Sequence, residues 1–478
     1  MSEVIIRTVD GGRTILSRRV LDQLGASLRG ELLDRRSATY DQARSIWNAR
    51  INRHPALIAR CRRATDVIRV VRFAREHGLL VSVRSGGHDI AGSGVIEEGL
   101  VIDLSFMKAV WVDPRRRTAR AEAGVTLGEF DRETQIFGLA TPVGINSTTG
   151  LAGLTLGGGF GWLTRKFGLT VDNLRSVEVV TADGELTTVS DAEHADLFWA
   201  LRGGGGNFGV VTSFDFTLHP VGLEVVAGVI VHPFEQAGEV LREFREVVAH
   251  APDDLSVWAV LRKAPPLPSL PASVHGREVV LFVAFYAGPT ETGDRALRPL
   301  RRIGRPLADE IAPRLYTSFQ RAFDPLLAPG ARNYWKSQNF LRLSDGLIDT
   351  TVEFASRLPT SQCEVFLAHL GGAASRRPSD ATAYVHRNAQ FVMNVHGRWD
   401  QPAQDAECVA WAQGLFNASA GYATGGTYVN FQTEDEADRV GAAYGRNYDR
   451  LVELKARYDP GNLFRAHQNI RPTVAGAR

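Results

Sequence analysis

The segment Ser82-Val-Arg-Ser-Gly-Gly-His88-Asp-Ile-Ala-Gly92-Ser-Gly94 places a histidine inside a glycine-rich loop, directly after the apolar run Leu79-Leu-Val. Glycine has no Cβ, so its backbone can adopt positive φ angles and a ligand can approach it closely. Successive free N–H groups in such turns form a concave site for anions. The segment therefore predicts a loop that binds a phosphate-containing cofactor, although a lone histidine in such a loop can also be structural.

Two further segments repeat this glycine pattern, from Gly150 to Trp162 and from Arg202 to Gly209. Any one of these runs alone is typical of a turn. Three of them in one region indicate an extended ligand. The spacing does not fit a P-loop, which needs Gly-Lys-Ser/Thr, and Gly157 to Gly161 does not open the helix of a Rossmann unit.

Composition limits the class of protein. The chain has 478 residues, 44% of them hydrophobic and 23% charged, with a formal net charge of +2. This length predicts two domains. The near-neutral charge argues against a nucleic-acid partner, and no apolar run is long enough for a membrane span. We see no secretory signal, and Cys61, Cys363 and Cys408 lack metal-ligand spacing. We therefore expect a cytoplasmic protein without a metal, as a monomer or homodimer.

The pattern of apolar residues changes along the chain. Residues 21–78 are predicted to be helical up to a glycine cap at Gly78. Short apolar runs and turns then follow as far as residue 221. From Gly222 to Thr427, strands with helices between them predict an antiparallel sheet that helices cover on one face. The predicted class is α+β.

Six ordered motifs carry a resemblance to a known family: Arg84-Ser-Gly-Gly-His88, Thr155-Leu-Gly-Gly-Gly-Phe-Gly161, Arg165-Lys-Phe-Gly168, Asn207-Phe-Gly-Val-Val211, Tyr428-Val-Asn430 and Tyr458-Asp-Pro-Gly-Asn462. From about Tyr40 to Pro472 the chain resembles the berberine-bridge-enzyme-like oxidases of the vanillyl-alcohol-oxidase superfamily. The resemblance implies an FAD-binding domain of the PCMH type at residues 1–221 and 428–478, around a substrate domain at residues 222–427. It also implies two-electron oxidation of a small-molecule amine, alcohol or secondary metabolite, with O₂ as acceptor and H₂O₂ as product.

The resemblance implies that His88 is bonded through a ring nitrogen to the 8α-methyl carbon of FAD. Many relatives add a second bond through a cysteine, but here Asn146 falls near the expected place and the stretch from Val143 to Gly150 has no cysteine. A single covalent link is therefore expected. The implied FAD-binding residues are Arg84, Ser85, Gly86, Gly87, His88, Asp89, Gly92, Gly153, Thr155, Gly157, Gly158, Gly159, Gly161, Gly209, Val210, Val211, Tyr428 and Asn430.

By the same resemblance, Tyr428 lies beside the flavin as the catalytic base, with Asn430 on the same strand face bonding the flavin ring. The alternative is that Tyr428 is a packed strand aromatic. Relatives that oxidise alcohols often have a tyrosine where Phe167 stands, and that tyrosine helps to activate the base. Its loss favours an amine or an already acidic substrate over a plain alcohol.

The run Val392-Met-Asn394-Val-His396-Gly-Arg398-Trp399 alternates strictly, so Asn394, His396 and Arg398 share one strand face. This face either lines the substrate cleft, with His396 as a second catalytic candidate, or is solvated. Tyr334 to Gln338 is the second candidate wall. The predicted substrate-binding residues are Tyr316, Trp335, Lys336, Gln338, Asn394 and Arg398. A flavin dehydrogenase with another electron acceptor and a catalytically silent flavin-binding protein remain alternatives.

Overall fold

A computed structural model describes residues 3–266 and 270–473 of the chain. Up to residue 220 short strands alternate with helices. These elements are β1 (Val4–Arg7), β2 (Arg13–Leu16), α1 (Arg18–Ser27), β3 (Glu31–Asp34), α2 (Tyr40–Arg44), β4 (Leu57–Arg60), α3 (Ala64–Glu76), β5 (Val81–Arg84), β6 (Leu100–Asp103), β7 (Val110–Asp113), β8 (Thr118–Glu122), α4 (Leu127–Gln135), β9 (Leu139–Ala140), α5 (Leu151–Leu156), α6 (Thr164–Phe167), β10 (Leu174–Val180), β11 (Leu186–Ser190), α7 (Ala195–Leu201), β12 (Val210–Thr217) and β13 (His219–Pro220).

After residue 220 the strands become longer. The elements are β14 (Glu224–Pro233), α8 (Ala237–Ala249), β15 (Leu255–Lys263), β16 (Glu278–Tyr286), α9 (Thr290–Arg301), β17 (Ala308–Asp309), β18 (Ala312–Leu315), α10 (Tyr316–Gln320), β19 (Arg332–Phe340), α11 (Asp345–Ala355), β20 (Glu364–His369), α12 (Gly372–Ser375), β21 (Phe391–Trp399), α13 (Asp405–Ser419), α14 (Val440–Tyr444) and α15 (Tyr448–Tyr458). The predicted α+β class is confirmed.

Three sheets organise the chain. A four-stranded sheet has the order β3-β4-β6-β5, with β6 parallel to both β4 and β5. A five-stranded antiparallel sheet has the order β11-β10-β12-β8-β7. The third sheet has eight strands in the order β17-β14-β16-β15-β20-β21-β19, with β18 also paired to β14. The first glycine loop leaves β5, and the third leads into β12.

The two faces of the eight-stranded sheet have different partners. On one face, residues such as Phe282 and Met393 pack against α8, α9, α11 and α13. On the other face, Trp258, Phe285 and Phe366 pack against residues of the glycine-rich half, among them Phe160 and Tyr428. The predicted cover of helices on one face is therefore confirmed, and the uncovered face points towards the glycine loops.

Two buried cations join distant parts of the chain. Arg165 donates to the carbonyl oxygens of Leu255 at 2.8 Å and Ala251 at 3.0 Å, on either side of the turn before β15. Lys455 in α15 donates to the carbonyl oxygen of Asn207 at 2.7 Å, and so attaches the C-terminal segment to the third glycine loop. The predicted domain boundaries at residues 222 and 428 stay a prediction.

One secondary-structure prediction is partly wrong. Residues 21–78 are not helical throughout, because β3 and β4 interrupt the helices α1, α2 and α3. Leu57, Ile58 and Ala59 are fully buried in the four-stranded sheet, and short apolar runs of this kind do not reveal by period whether they are strand or helix. The glycine cap is present, with Gly78 at φ 60°. Within residues 3–266 and 270–473, no helix has the length and apolar character needed to cross a membrane.

Candidate active site

A cavity of about 560 Å³ lies between the glycine loops and the uncovered face of the eight-stranded sheet. This size is typical of a site for a small molecule or cofactor. All three glycine clusters reach it, through Arg84, Ser85, Gly86, Gly87, His88, Asp89, Gly150, Gly153, Gly205, Gly206, Gly209, Val210 and Val211. The three glycine clusters therefore line one cavity, which agrees with the prediction that they bind one extended ligand.

The first two glycine loops meet too closely for side chains. A Cβ on Gly86 would lie 2.5 Å from the backbone nitrogen of Gly150. Among the described residues, the N–H groups of Gly86, Gly87 and His88 have no hydrogen-bond acceptor. At Gly153 and Gly206 a Cβ would enter open space. Free N–H groups and open backbone of this kind fit the diphosphate of a dinucleotide cofactor.

Other predicted cofactor residues lie behind this surface. Gly92, Thr155, Gly157, Gly158, Gly159 and Gly161 do not line the cavity. Gly158 and Gly159 have φ angles of 116° and 73°, which favour glycine. The Thr155 hydroxyl donates to the carbonyl oxygen of Leu151 at 2.7 Å. Gly92 belongs to the first loop and the other five residues shape the second loop from within, and we do not retain any of the six as direct cofactor contacts.

His88 is held on two sides at the cavity wall. Its ring stacks on Trp47 with centroids 4.9 Å apart and planes at 21°. Its Nε2 lies 2.8 Å from the hydroxyl of Thr148. Burial, with a smaller contribution from Arg398, lowers the pKa of His88 to about 3. The imidazole is therefore neutral at physiological pH.

Tyr428 lies across the cavity and is buried in an aromatic cluster with Phe160 and Phe431. Its hydroxyl oxygen accepts hydrogen bonds from Asn430 Nδ2 at 2.8 Å and from the Gly159 nitrogen at 3.2 Å. Burial raises the pKa of Tyr428 well above its usual range. The prediction that Tyr428 and Asn430 share a strand face is wrong, because Val429–Phe431 forms a 3₁₀ turn that Tyr428 precedes.

Phe167 does not reach this cluster. It stacks face to face on His219 with centroids 4.0 Å apart, and it does not line the cavity. The ring of Tyr384 lies 6.3 Å from that of Tyr428, and the Tyr384 hydroxyl is buried without a partner among the described residues. The Arg-Lys-Phe-Gly motif therefore contributes no hydroxyl at Tyr428, as its sequence predicts.

A charged network lies on the sheet side of the cavity. His396 Nδ1 is 3.5 Å from Glu364, and Glu364 is bonded to Arg262 at 2.8 Å. On its other side, His396 Nε2 lies 3.2 Å from Asn333 Oδ1. Desolvation lowers the pKa of His396, and Glu364 opposes this shift. The alternative of a solvated strand face is excluded, because His396 is 2% exposed and Asn394 is 0% exposed.

The predicted substrate-binding residues divide into two groups. Trp335, Asn394 and His396 line the cavity, and both amide atoms of Asn394 are buried without a partner in the described part of the chain. Arg398 lies behind Trp47, 5.3 Å from its ring centroid. Tyr316 is buried between Phe285 and Asp131. Arg398 and Tyr316 are therefore outside the cavity.

Lys336 and Gln338 are also outside the cavity, and we do not retain them as substrate contacts. Trp335 faces the cavity in β19, so its neighbours Lys336 and Gln338 fall on the opposite strand face. Lys336 Nζ donates to Asp435 at 2.9 Å, and Gln338 Nε2 donates to the hydroxyl of Ser419 at 3.2 Å. Strict alternation of side chains along this strand puts Lys336 and Gln338 on the face opposite to that of Trp335.

Several cavity residues were absent from the sequence-based prediction, namely Trp47, Phe160, Trp258, Arg262, Glu364 and Phe366. The pair Glu364 and Phe366 alternates as a strand face does, and so does the pair Trp258 and Arg262. That pattern could have placed each pair on one face. Which face meets the glycine loops is decided by tertiary packing.

Comparisons with known proteins show the family of this chain. A family model described as an FAD binding domain matches residues 55–190, and one described as berberine and berberine-like matches residues 427–471. The chain is 33% identical over 459 residues to an uncharacterized FAD-linked oxidoreductase of Bacillus subtilis, YgaK, covering 93% of this chain and 97% of that protein. The chain belongs to the berberine-bridge-enzyme-like family of FAD-linked oxidoreductases.

Other similar proteins are oxidases by name. The (R)-6-hydroxynicotine oxidase of Paenarthrobacter nicotinovorans is 32% identical over 463 residues, which cover 93% of this oxidoreductase and 97% of that enzyme. A crystal structure of 6-hydroxy-D-nicotine oxidase from Arthrobacter nicotinovorans superposes with a TM-score of 0.84 at 29% identity, over 94% of this chain and 99% of that one. The xylooligosaccharide oxidase of Myceliophthora thermophila shares the fold, with a TM-score of 0.83 at 24% identity over 95% and 100% of the two chains.

Proposed function

We propose that this FAD-linked oxidoreductase is an oxidase, which takes two electrons from a small-molecule amine, alcohol or secondary metabolite and delivers them to O₂ as H₂O₂. The observation that carries the proposal is the position of the buried Tyr428 hydroxyl in a cavity that also contains His88 and the free N–H groups of the first glycine loop. The FAD cofactor supplies the acceptor for a hydride when it is bound.

The chain's own residues would hold FAD in three ways. The N–H groups of Gly86, Gly87 and His88 would bind diphosphate oxygens, and the open backbone at Gly153 and Gly206 would admit the rest of the dinucleotide. His88 would form the single covalent link. Asn146, where relatives carry a second link, bonds to Thr148 instead.

Tyr428 would accept the proton that the substrate loses from its O–H or N–H group. Its two hydrogen-bond donors, Asn430 and Gly159, stabilise the anionic form of the oxygen, whereas burial opposes that form. The free base is therefore a minor species at pH 7, and we expect the rate of substrate oxidation to rise with pH into the alkaline range.

His396 is the second candidate for the base. Its pKa is lowered, so its imidazole is already neutral at pH 7. A reaction in which His396 accepts the proton would reach a plateau near neutral pH, because a lowered histidine pKa leaves no further deprotonation above about 6.5. The pH profile of the flavin-reduction rate distinguishes the two residues.

The substrate would lie between the flavin and the aromatic face of the sheet formed by Trp258, Phe366 and Trp335. Asn394 offers it one donor and one acceptor, neither of which has a partner within residues 3–266 and 270–473. Phe167 stacks on His219 and brings no hydroxyl to Tyr428. We therefore still expect the enzyme to prefer an amine or an acidic O–H as substrate over a plain alcohol.

Anaerobic mixing with a panel of amines, sugars and phenolic metabolites, followed by air, tests the proposal. An oxidase bleaches with its substrate, recovers its colour quickly in air and releases H₂O₂. Slow recovery in air with rapid recovery on an artificial acceptor would identify a dehydrogenase instead. A protein that no member of the panel bleaches would favour a silent flavin-binding role.

A further inference from the structure

Asn146, Thr148 and His88 form a chain of hydrogen bonds at the edge of the cavity. The Thr148 backbone nitrogen donates to Asn146 Oδ1 at 3.0 Å, and the Thr148 hydroxyl donates to the same oxygen at 2.8 Å. His88 Nε2 lies 2.8 Å from the Thr148 hydroxyl oxygen. The intervening Ser147 is bonded through its nitrogen to Asp324 at 3.0 Å, which anchors the loop to the other half of the molecule.

The donors and acceptors in this chain determine where the protons lie. A backbone N–H can only donate, so the Asn146 atom beside the Thr148 nitrogen must be the amide oxygen. The Thr148 hydroxyl has one proton, which it gives to that oxygen. Towards His88 the hydroxyl can then only accept, and His88 Nε2 must carry a proton.

The other ring nitrogen is left free. Burial keeps the imidazole neutral, so it carries one proton, and that proton is on Nε2. Nδ1 therefore has an unprotonated lone pair, and among the described residues it makes no hydrogen bond. Stacking on Trp47 fixes the plane of the ring at the cavity wall.

We propose that Thr148 and Asn146 are positioning residues for the covalent attachment of FAD: they hold His88 in the Nε2–H tautomer and so make Nδ1 the nucleophile. The inference rests on the covalent link proposed above. It deepens that proposal, because it assigns a role to two residues that touch neither the reacting carbon nor the substrate.

Covalent attachment is a two-electron oxidation of the 8α-methyl group of FAD. The Nδ1 lone pair forms a bond to the 8α carbon of FAD, the methyl group loses one proton, and Nε2 loses the proton that Thr148 accepts as a hydrogen bond. Two electrons enter the isoalloxazine ring together with two protons. O₂, the acceptor of the proposed oxidase reaction, then takes both electrons and both protons and leaves as H₂O₂.

The test follows covalent incorporation rather than turnover. Wild-type protein, Thr148→Val and Thr148→Ser are purified at matched times after induction and incubated with added FAD. Acid-stable flavin fluorescence of the protein band is then recorded over time. Because one neutral hydrogen bond biases the tautomer, we expect Thr148→Val to incorporate flavin about 3–10-fold more slowly, and Thr148→Ser to match wild type. Thr350→Val, a substitution of the same kind in α11, is the control with an expected wild-type rate.

A second variant and a second measurement separate the possible failures. Asn146→Ala frees the Thr148 hydroxyl to donate to His88, so we expect slower incorporation with the Thr148 side chain intact. The flavinylated peptide of the wild type should carry its link at Nδ1. An equal rate in wild type and Thr148→Val, or a wild-type link at Nε2, would overturn the positioning role while the covalent link stands. Wild-type protein that releases all its flavin in acid would overturn the link itself and this inference with it.

Discussion

His88 and His396 stand at the two ends of a row of four rings, and their surroundings differ. His88 stacks on Trp47, Trp47 meets Trp335 edge to face at 5.6 Å, and Trp335 meets His396 at 4.7 Å. Both imidazoles have lowered pKa values, mainly through burial. Among the described residues, His88 has a neutral hydroxyl on one nitrogen and no partner on the other, whereas His396 has an acceptor beside each nitrogen.

This difference separates two tasks that a buried histidine can perform. A ring nitrogen without a partner can form a bond to a ligand. A ring between Glu364 and Asn333 is oriented on both sides, and it can hold or pass a proton without moving. On the proposals above, the glycine loop presents the nucleophile, and the sheet presents a fixed polar group.

The largest contrast concerns flavin retention. We expect His88→Ala to release all its flavin into the supernatant on acid precipitation, because the only nitrogen proposed to hold the 8α carbon is removed. His396→Ala should keep a yellow, fluorescent pellet. Flavin fluorescence of the denatured protein band measures both. A fluorescent band in His88→Ala, or its loss in His396→Ala, would show that the two histidines have been assigned the wrong roles.

The next effect concerns proton transfer. Tyr428→Phe should keep covalent FAD and near-normal thermal stability but reduce its flavin at least about 100-fold more slowly in anaerobic stopped flow, as expected when a general base is removed. Tyr422→Phe is a matched control, because that ring is 43% exposed. In wild type the rate should rise above pH 7, since burial raises the pKa of Tyr428. A wild-type rate in Tyr428→Phe, with a plateau at neutral pH, would instead assign the base to His396.

The place of His88 is easier to predict from the sequence than the place of His396. His88 lies in a local glycine motif that can be recognised directly in the sequence, although its contacts Trp47 and Thr148 come from other parts of the chain. His396 could be placed on a strand face by alternation, but its partners Glu364 and Asn333 come from β20 and β19. Those contacts depend on strand order, which alternation within one strand does not contain.

The errors follow the same division. As polar groups of the candidate wall from Tyr334 to Gln338, Lys336 and Gln338 are predicted to line the cavity, although alternation places them on the helix-covered face. The prediction for Tyr428 and Asn430 is a shared strand face, yet they meet through a 3₁₀ turn. The family motif identifies Tyr428 and Asn430 as a pair. The alternation of residues along the segment does not predict the turn through which they meet.

A smaller effect is expected from the charges around His396. Glu364→Gln should lower the free energy of unfolding by about 1–3 kcal/mol, because Arg262 loses its ionised partner in a largely buried place. Covalent flavin should be unchanged, since His88 is not in contact with Glu364. Glu353→Gln, which breaks an exposed pair with Arg357, is the control and should change stability by less than about 0.5 kcal/mol. If Glu364→Gln and Glu353→Gln change the free energy of unfolding by the same amount, the charged network around His396 contributes only to substrate binding.

The smallest expected effect tests whether burial neutralises a carboxyl group as it neutralises the two histidines. Asp131 in α4 is 1% exposed and accepts a hydrogen bond from Gln320 in α10 at 2.9 Å. Burial raises its pKa to about 7. The folded protein therefore retains a proton that the unfolded chain loses above about pH 3.9, and stability falls as pH rises from about 4 to 7.

Asp131→Asn removes this pH dependence of stability and keeps an oxygen for the hydrogen bond from Gln320. We expect its Tm to exceed that of wild type by about 1–2 °C at pH 8, with a smaller difference at pH 5. Scanning calorimetry at the two pH values measures both differences. If the Tm of Asp131→Asn minus that of wild type is instead lower at pH 8 than at pH 5, Asp131 is ionised in the folded protein.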